Sequence, residues 1–309
     1  MKDPRKNRIL SCLLIAVATA IVSLVPVSIM AHPGAGIAVD RQGQLYFLDT
    51  GSGLWKIDTQ GKVSHLSETR FHWLALDENN LFASGRLPSS AGTGLDWEIL
   101  KVAENPTVLI ASDWPIALSQ DGSLYYQSGH PGNLRIMRSL PSGVTSVLAT
   151  LPPTTSGQPL PYVSGLAPGA SGSLYYTENN AIRRITARGV IGIVITVPPS
   201  VNGPSIPATD MHPYLRGLAV DADGVMYVAD TGDARVLKIT PRGEITTLVQ
   251  TESPWSPTAV ALFRSDVYVL EFLHTVRDVR RDWLPRIRKI TPDGKSKIIL
   301  TVDQMPGAR

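Results

Sequence analysis

The chain repeats one pattern six times between Gly36 and Val302. Each copy contains four short apolar runs that are separated by turns rich in glycine, aspartate and asparagine. Short runs of β-branched and aromatic residues between such turns predict antiparallel strands joined by hairpins. Six units of roughly forty to fifty residues, with four strands in each, predict an all-β fold: a six-bladed β-propeller of four-stranded antiparallel blades.

Individual runs can be aligned between the copies. In the second unit, the first run is Trp73–Asp77 and the second, aromatic run is Leu81–Ala83. The third run of every unit carries one basic residue at a constant place, and these residues are Lys56, Lys101, Arg138, Arg184, Lys238 and Lys289. The alignment therefore assigns each residue to a blade and to a position along one of its strands.

The fifth unit also resembles a known family. Gly217–Asp221, Asp223–Gly224, Tyr227–Gly232 and Arg235–Ile239 together look like an NHL repeat, and the unit that begins at Gly36 is similar. The wider relatives are the propellers of the gluconolactonase and senescence-marker-protein family. This resemblance covers nearly all of the chain beyond residue 35 and implies a fold, but such a fold hosts many different sites.

Residues 1–31 read as a leader that precedes the propeller of residues 32–309. A charged start is followed by the segment 9–30, which carries no ionisable side chain except Cys12. This pattern predicts either a cleaved signal peptide or a retained membrane anchor. Both alternatives place the propeller outside the cytoplasm, in the periplasm, at the cell surface or in a secreted form.

Charge and cysteine content exclude some classes of function. Four of the 29 basic residues and one of the 26 acidic residues lie in the first eight positions, which leaves 25 of each for the rest of the chain. A balanced domain gives no support for nucleic-acid binding. Because Cys12 is the only cysteine, the propeller has neither a disulfide nor thiol chemistry. We expect a monomer.

Long connections are predicted at one end of the propeller. They are Leu87–Asp96, Pro198–Leu215 and Leu273–Pro285, whereas the turns at the other end are short. Long loops on one rim predict a binding face, although neutral loop insertion is an alternative explanation.

The third of these loops is rich in arginine. Arg277, Arg280 and Arg281, with Arg286 and Arg288 after them, predict a cationic patch able to meet a carboxylate or a phosphate. The alternative is a solvated face whose charges pair internally with Asp278 and Asp282. A protein partner docking on this patch is a further possibility that the sequence leaves open.

Two rings of residues are predicted around the central channel at this end. The outer ring, where each second strand ends, comprises Asp49, Gly85, Ser128, Glu178, Asp230 and Glu271. The carboxylates Glu178, Asp230 and Glu271 could hold a divalent cation through hard oxygen ligands. Asp49 and Asp230, however, begin Asp-Thr-Gly turns, in which the carboxylate commonly fixes the turn instead.

The inner ring precedes each first strand and comprises Ala35, His72, Trp114, Ser164, Arg216 and Thr258. The gluconolactonase resemblance implies a metal held by Glu, Asn and Asp at three of these places. This chain has Ala35, Ser164 and Arg216 there instead, so the relatives' metal and lactonase chemistry do not carry over. An arginine beside the site would also repel a cation.

The remaining inner-ring residues suggest a binding site. Trp114 offers a stacking surface, Arg216 a fork for an anion, and His72 a candidate general base. His130, His212 and His274 could join His72 in a metal site. The sequence therefore predicts an exported binding or interaction module for a small anionic molecule or a protein. The alternative is a gluconolactonase-like hydrolase or lyase with a rearranged, metal-dependent site.

Overall fold

A computed structural model describes residues 34–68, 70–77, 99–103, 108–129, 133–152, 163–200, 215–273 and 284–306. Its strands are β1 (Ile37–Val39), β2 (Leu45–Asp49), β3 (Gly53–Ile57), β4 (Val63–Ser67), β5 (Trp73–Asp77), β6 (Ile99–Ala103), β7 (Val108–Ser112), β8 (Ile116–Leu118), β9 (Leu124–Ser128), β10 (Arg135–Ser139), β11 (Thr145–Thr150), β12 (Val163–Pro168), β13 (Leu174–Glu178), β14 (Ala181–Ile185), β15 (Ile191–Thr196), β16 (Leu215–Val220), β17 (Met226–Asp230), β18 (Arg235–Ile239), β19 (Ile245–Gln250), β20 (Trp255–Phe263), β21 (Asp266–Leu273), β22 (Pro285–Ile290) and β23 (Ser296–Thr301). Two short 3₁₀ helices, Ala170–Gly172 and Val302–Gln304, complete the regular structure of the described part.

The strands form six antiparallel sheets, one for each repeat. Five of them have four strands that pair in chain order, namely β1 to β4, β8 to β11, β12 to β15, β16 to β19 and β20 to β23. The innermost strands β1, β5, β8, β12, β16 and β20 each contact the next in that order, and β20 contacts β1. This closed ring confirms the predicted six-bladed, all-β propeller.

The second blade is threaded differently from the others. Within the described residues its order is β5-β7-β6, so the later strand β7 lies beside the innermost strand. Leu74 of β5 pairs with Ala111 of β7, and Lys101 of β6 pairs with Ile110 of β7. The uncharged run of β7 is buried throughout, which suits this inner position. The run Leu81–Ala83, to which the sequence assigned this place, lies outside the described residues.

The basic residue of the third strand has a structural role. Outside blade two, where Lys101 pairs with Ile110, it pairs across the blade with a tyrosine of the second strand, as Lys56 does with Tyr46. Four blades place the cation over the tyrosine ring, at 5.7 Å for Lys56 and Tyr46, 5.9 Å for Arg138 and Tyr125, 5.9 Å for Arg184 and Tyr175, and 5.5 Å for Lys289 and Tyr268. Each such contact contributes about 0.5–1 kcal/mol at an exposed site. The repeated basic residue therefore stabilises the blade.

Close backbone approach holds neighbouring blades together. A Cβ added to Gly165 would lie 2.4 Å from the carbonyl oxygen of Arg216, and one added to Gly217 would lie 2.4 Å from the Cα of Ala259. Glycine is required at both places because the next innermost strand occupies the space of a side chain. The last and first blades are joined by the hydroxyl of Thr258, which donates to the carbonyl of Gly34 at 2.7 Å.

The predicted leader, residues 1–31, lies outside the described residues. Across the ranges that the structure does describe, no helix has the length and apolar character needed to cross a bilayer.

Candidate functional site

The inner ring forms what we call the channel mouth, defined by Ala35, His72, Trp114, Ser164, Arg216 and Thr258. Each residue lies just before an innermost strand or within the first four residues of one, so all six are at the same end of the propeller. Ala35, Ser164, Arg216 and Thr258 are buried. His72 and Trp114 are partly exposed. The accessible side chains of this described ring therefore belong to blades two and three.

Backbone hydrogen bonds fix the position of His72. Its carbonyl accepts from the N–H of Ala35 at 2.7 Å, and its own N–H donates to the carbonyl of Ser112 at 3.1 Å. The residue is thus held between the first blade and strand β7. These hydrogen bonds fix the main chain from which the imidazole extends.

The imidazole of His72 pairs with Asp113, a residue that the sequence did not single out. Nδ1 of His72 lies 3.0 Å from Oδ1 of Asp113, and the two side chains are 22% and 48% exposed. Because a carboxylate only accepts hydrogen bonds, Nδ1 carries the proton in this pair. The other ring nitrogen, Nε2, is then left as an acceptor when the ring is neutral.

The threading of blade two explains why Asp113 was missed. Ala111 pairs with Leu74 in blade two as Phe47 pairs with Ile37 in blade one. Asp113, two residues after Ala111, is therefore equivalent to Asp49 of the first blade. The alignment had placed Gly85 at this point of the outer ring, and Gly85 lies outside the described residues. The sequence did carry a signal for this position. The apolar run of β7 is followed by Asp113, just as the apolar run of β2 ends in Asp49.

Trp114 follows directly on this pair. Its N–H donates to the hydroxyl of Ser112 at 3.1 Å, which fixes the chain as it leaves β7 for the third blade. The structure therefore brings His72, Asp113 and Trp114 into one corner of the mouth. The sequence had predicted His72 and Trp114 on adjacent blades, and they are.

Arg216 lies in blade five, which is opposite blade two in the ring. It is 5% exposed, and its carbonyl accepts from the hydroxyl of Thr177 at 2.8 Å. Its strand is locked against blade four, because Gly165 leaves room for the Arg216 carbonyl. The structure thus places a cationic side chain within the wall of the mouth.

The three outer-ring carboxylates are each bound by arginine from their own blade. Glu178 accepts from Nε of Arg183, and Asp230 accepts from Nε of Arg235 at 2.8 Å. Glu271 is fully buried and accepts from both Arg286 and Arg288. Within the described ranges, no three acidic, histidine or cysteine side chains are arranged to hold a metal. The geometry does not support the hypothesis that these three carboxylates share a cation.

Asp49 and Asp230 show the turn-fixing geometry that was the alternative. Asp49 accepts from the N–H of Gly51 at 3.1 Å and from the hydroxyl of Ser52. Asp230 accepts from the N–H of Asp233 at 3.4 Å as well as from Arg235. Burial of Asp230 raises its pKa to about 6, and the hydrogen bond from Arg235 offsets only part of that rise.

Arg286 and Arg288 do not belong to a solvent-facing cationic patch. They are 8% and 4% exposed, and both bind Glu271 and Glu252. Burial lowers the pKa of Arg288, but the hydrogen bonds and charge attraction of Glu271 and Glu252 together outweigh this and raise it. Arg277, Arg280 and Arg281 lie outside the described residues, as do His130, His212 and His274.

Comparison with models of protein families gives no match, and comparison with curated protein sequences gives none either. Solved structures do match. A gluconolactonase from Xanthomonas campestris is 14% identical, with 78% of this chain and 84% of that chain covered and a TM-score of 0.53. The calcium-binding protein regucalcin from Agrobacterium tumefaciens is 15% identical, with 77% and 81% covered and a TM-score of 0.50.

Virginiamycin B lyase from Staphylococcus aureus is 19% identical over 87% of this chain and 84% of that chain, with a TM-score of 0.47. At these identities, the similarity shows the fold alone. This chain is therefore a six-bladed propeller related in fold to the gluconolactonase and senescence-marker-protein group.

Proposed function

We propose that this protein binds a small anionic ligand at the channel mouth, with His72, Trp114 and Arg216 as the binding side chains. The observation that carries the proposal is the accessible His72–Asp113 pair beside Trp114, on the ring of innermost strands. Ligand sites commonly combine an aromatic wall with a few fixed polar groups.

The chemistry of the three side chains favours an anion. Protonated His72 would donate from Nε2 while Asp113 holds Nδ1, so the imidazole is oriented before a ligand arrives. Trp114 supplies a flat surface for a ring or an unsaturated group. Arg216 adds a guanidinium at the opposite side of the mouth, and a guanidinium pairs well with carboxylate or phosphate.

A thermal-shift screen tests the proposal. The panel contains sugar acids, sugar phosphates and aromatic carboxylates, and a ligand that binds only the native state raises the Tm. We expect His72→Gln and Trp114→Leu to lose the rise given by any hit. His65→Gln is the matched control, because His65 lies on the outer strand β4.

The His65→Gln control should show the same rise in Tm with each ligand as the wild type. Equal responses of His72→Gln, Trp114→Leu and wild type to every hit would place binding elsewhere and refute the proposal. The outer-ring residues Glu178, Asp230 and Glu271 also remain predicted ligand-binding residues in this proposal.

The His72–Asp113 pair also favours a second candidate, a hydrolase or lyase in which His72 is the general base. A carboxylate that accepts from Nδ1 orients the imidazole so that Nε2 is the nitrogen that takes a proton, and such proton transfer contributes about 10²–10⁴-fold in rate. Sugar lactones are the first substrates to test, since one solved propeller of this fold is a gluconolactonase.

Turnover should fall by that factor in His72→Gln. Asp113→Asn should lower kcat as well, because the imidazole loses the carboxylate that accepts from Nδ1. Turnover that survives both changes would exclude this pair as the base. Metal dependence can be checked in the same assay by chelation, because a divalent cation remains part of this alternative.

We also propose that residues 1–31 export the propeller, with segment 9–30 as a signal or a membrane tether. The charged start and the uncharged apolar stretch support this. Cell fractionation with N-terminal sequencing tests it: a periplasmic or secreted chain starting near His32 indicates cleavage, and a membrane-bound intact chain indicates a tether. Intact chain in the cytoplasm would refute export.

A further inference from the structure

Blade six contains a cluster of four charges, in a different blade from the channel mouth residues His72 and Trp114. The cluster comprises Glu252, Glu271, Arg286 and Arg288. Glu271 is 0% exposed and anchors both arginines through their Nε atoms. The ring of Trp255 packs on the guanidinium of Arg286 at 4.2 Å. The buried Glu271 therefore holds both guanidinium groups in place, and Trp255 also contacts that of Arg286.

The second acid of the cluster is positioned differently. Glu252 lies in the connection between β19 and β20, and its side chain is 64% exposed. One oxygen, Oε2, accepts from Nη2 of Arg286 at 2.6 Å and from Nη2 of Arg288 at 2.7 Å. The two arginines thus converge on a single carboxylate oxygen that comes from the solvent side.

The charge balance separates this cluster from the related pairs in other blades. Glu178 has one arginine, Arg183, and in blade five Arg235 serves two acids, Asp230 and Asp233. In blade six the ratio is reversed, because two arginines share the buried Glu271. Without Glu252, the two arginines and Glu271 together carry a net charge of one positive unit beside solvent.

We propose that Arg286 and Arg288 form a binding site for the oxyanion of a small phosphate or carboxylate ligand, and that Glu252 occupies this site as an internal competitor. Rotation of the exposed Glu252 side chain uncovers two fixed Nη2 donors aimed at one point. Paired guanidinium donors of this kind suit phosphate and carboxylate oxygens. The backbone of the loop need not move, because the Glu252 carbonyl stays bonded to the N–H of Trp255.

Glu252→Gln tests the proposal by removing the competing charge and keeping the shape. Inorganic phosphate and acetate are titrated separately at constant ionic strength, with chloride as the balancing salt, and the Tm is recorded. We expect the variant to bind phosphate at least tenfold more tightly than the wild type, and the acetate arm shows whether carboxylate is accepted too. At about five times the Kd, the Tm of the variant should rise by about 2–4 °C.

Three further proteins locate the effect. Glu244→Gln removes a charge from an exposed turn residue and should respond as the wild type does. Glu252→Gln combined with Arg288→Met should lose the gained response, since one of the two donors is gone. Glu252→Gln combined with Trp114→Leu should keep the gained response, which separates this site from the channel mouth.

The proposal would be overturned if Glu252→Gln and the wild type had the same phosphate affinity. It would also be overturned if the gain persisted when Glu252→Gln is combined with Arg288→Met, or disappeared when Glu252→Gln is combined with Trp114→Leu. Glu252→Asp provides a second measurement, because a side chain shorter by one methylene competes less well. Its phosphate affinity should lie between those of the wild type and Glu252→Gln.

Discussion

Removing the buried carboxylate of Glu271 should strongly destabilise the propeller. Glutamine has nearly the same shape, but it carries no charge and turns an N–H group towards one of the arginines. Arg286 and Arg288 would keep only the exposed Glu252 as a counter-charge. Breaking a buried ion pair by removing one partner costs about 3–5 kcal/mol, because the remaining charge is left desolvated.

Urea unfolding followed by tryptophan fluorescence measures this cost. Glu271→Gln should lower the midpoint without changing the m-value, since the surface exposed on unfolding stays the same. In thermal unfolding, a loss of that size corresponds to a fall in Tm of about 6–20 °C. Glu244→Gln, at an exposed turn, should change the free energy of unfolding by about 0.5 kcal/mol or less.

A double-mutant cycle isolates the ion pair from other effects of the substitution. Arg288→Met removes one of the two buried cations, so Glu271→Gln should cost less in that background than in the wild type. We expect a coupling energy of about 1–3 kcal/mol. Additive effects, or a loss below about 1 kcal/mol for Glu271→Gln alone, would refute the view that Glu271 neutralises these arginines.

Two other outcomes are expected. Gly217→Ala should destabilise the protein because its Cβ would lie 2.4 Å from the Cα of Ala259, whereas Gly192→Ala, with open space around it, should be tolerated in the same urea assay. Asp230 has its pKa raised to about 6 by burial despite Arg235, so native protein binds its proton before unfolded protein does and stability is gained as the pH falls from about 6 towards 4. Relative to Asp230→Asn, the wild type should gain up to about 3 kcal/mol over that window, and parallel pH profiles of the two proteins would contradict this.

Most of the fold was predictable because the repeat encodes it locally. Apolar runs and glycine turns mark the strands of five blades, and the aligned tyrosine and basic positions face each other across the second and third strands. In blade two the alignment assigned the second strand to Leu81–Ala83, whereas β7 pairs with β5. A local pattern identifies a strand, but pairing depends on which neighbour buries it best.

The candidate site was predictable only in part. His72 and Trp114 stand at blade positions that the repeat specifies, so sequence alignment placed them at one end of the ring. Asp113 was not predicted as a site residue, because its place in the ring depends on the pairing of β7 with β5. The pairing of Arg286 and Arg288 with acidic side chains also could not be predicted, because it involves Glu252, which is more than thirty residues away in the chain.

The sequence by itself determined the architecture, the number of blades and the end of the propeller where the blades differ most. It did so because strand patterns and turns are local and recur at a constant period. Only the tertiary structure decided which charges are neutralised and which side chains meet, since burial and ion pairing join residues from separate strands and blades. For that reason the His72–Asp113 pair and the arginine cluster of blade six emerge from the folded chain alone.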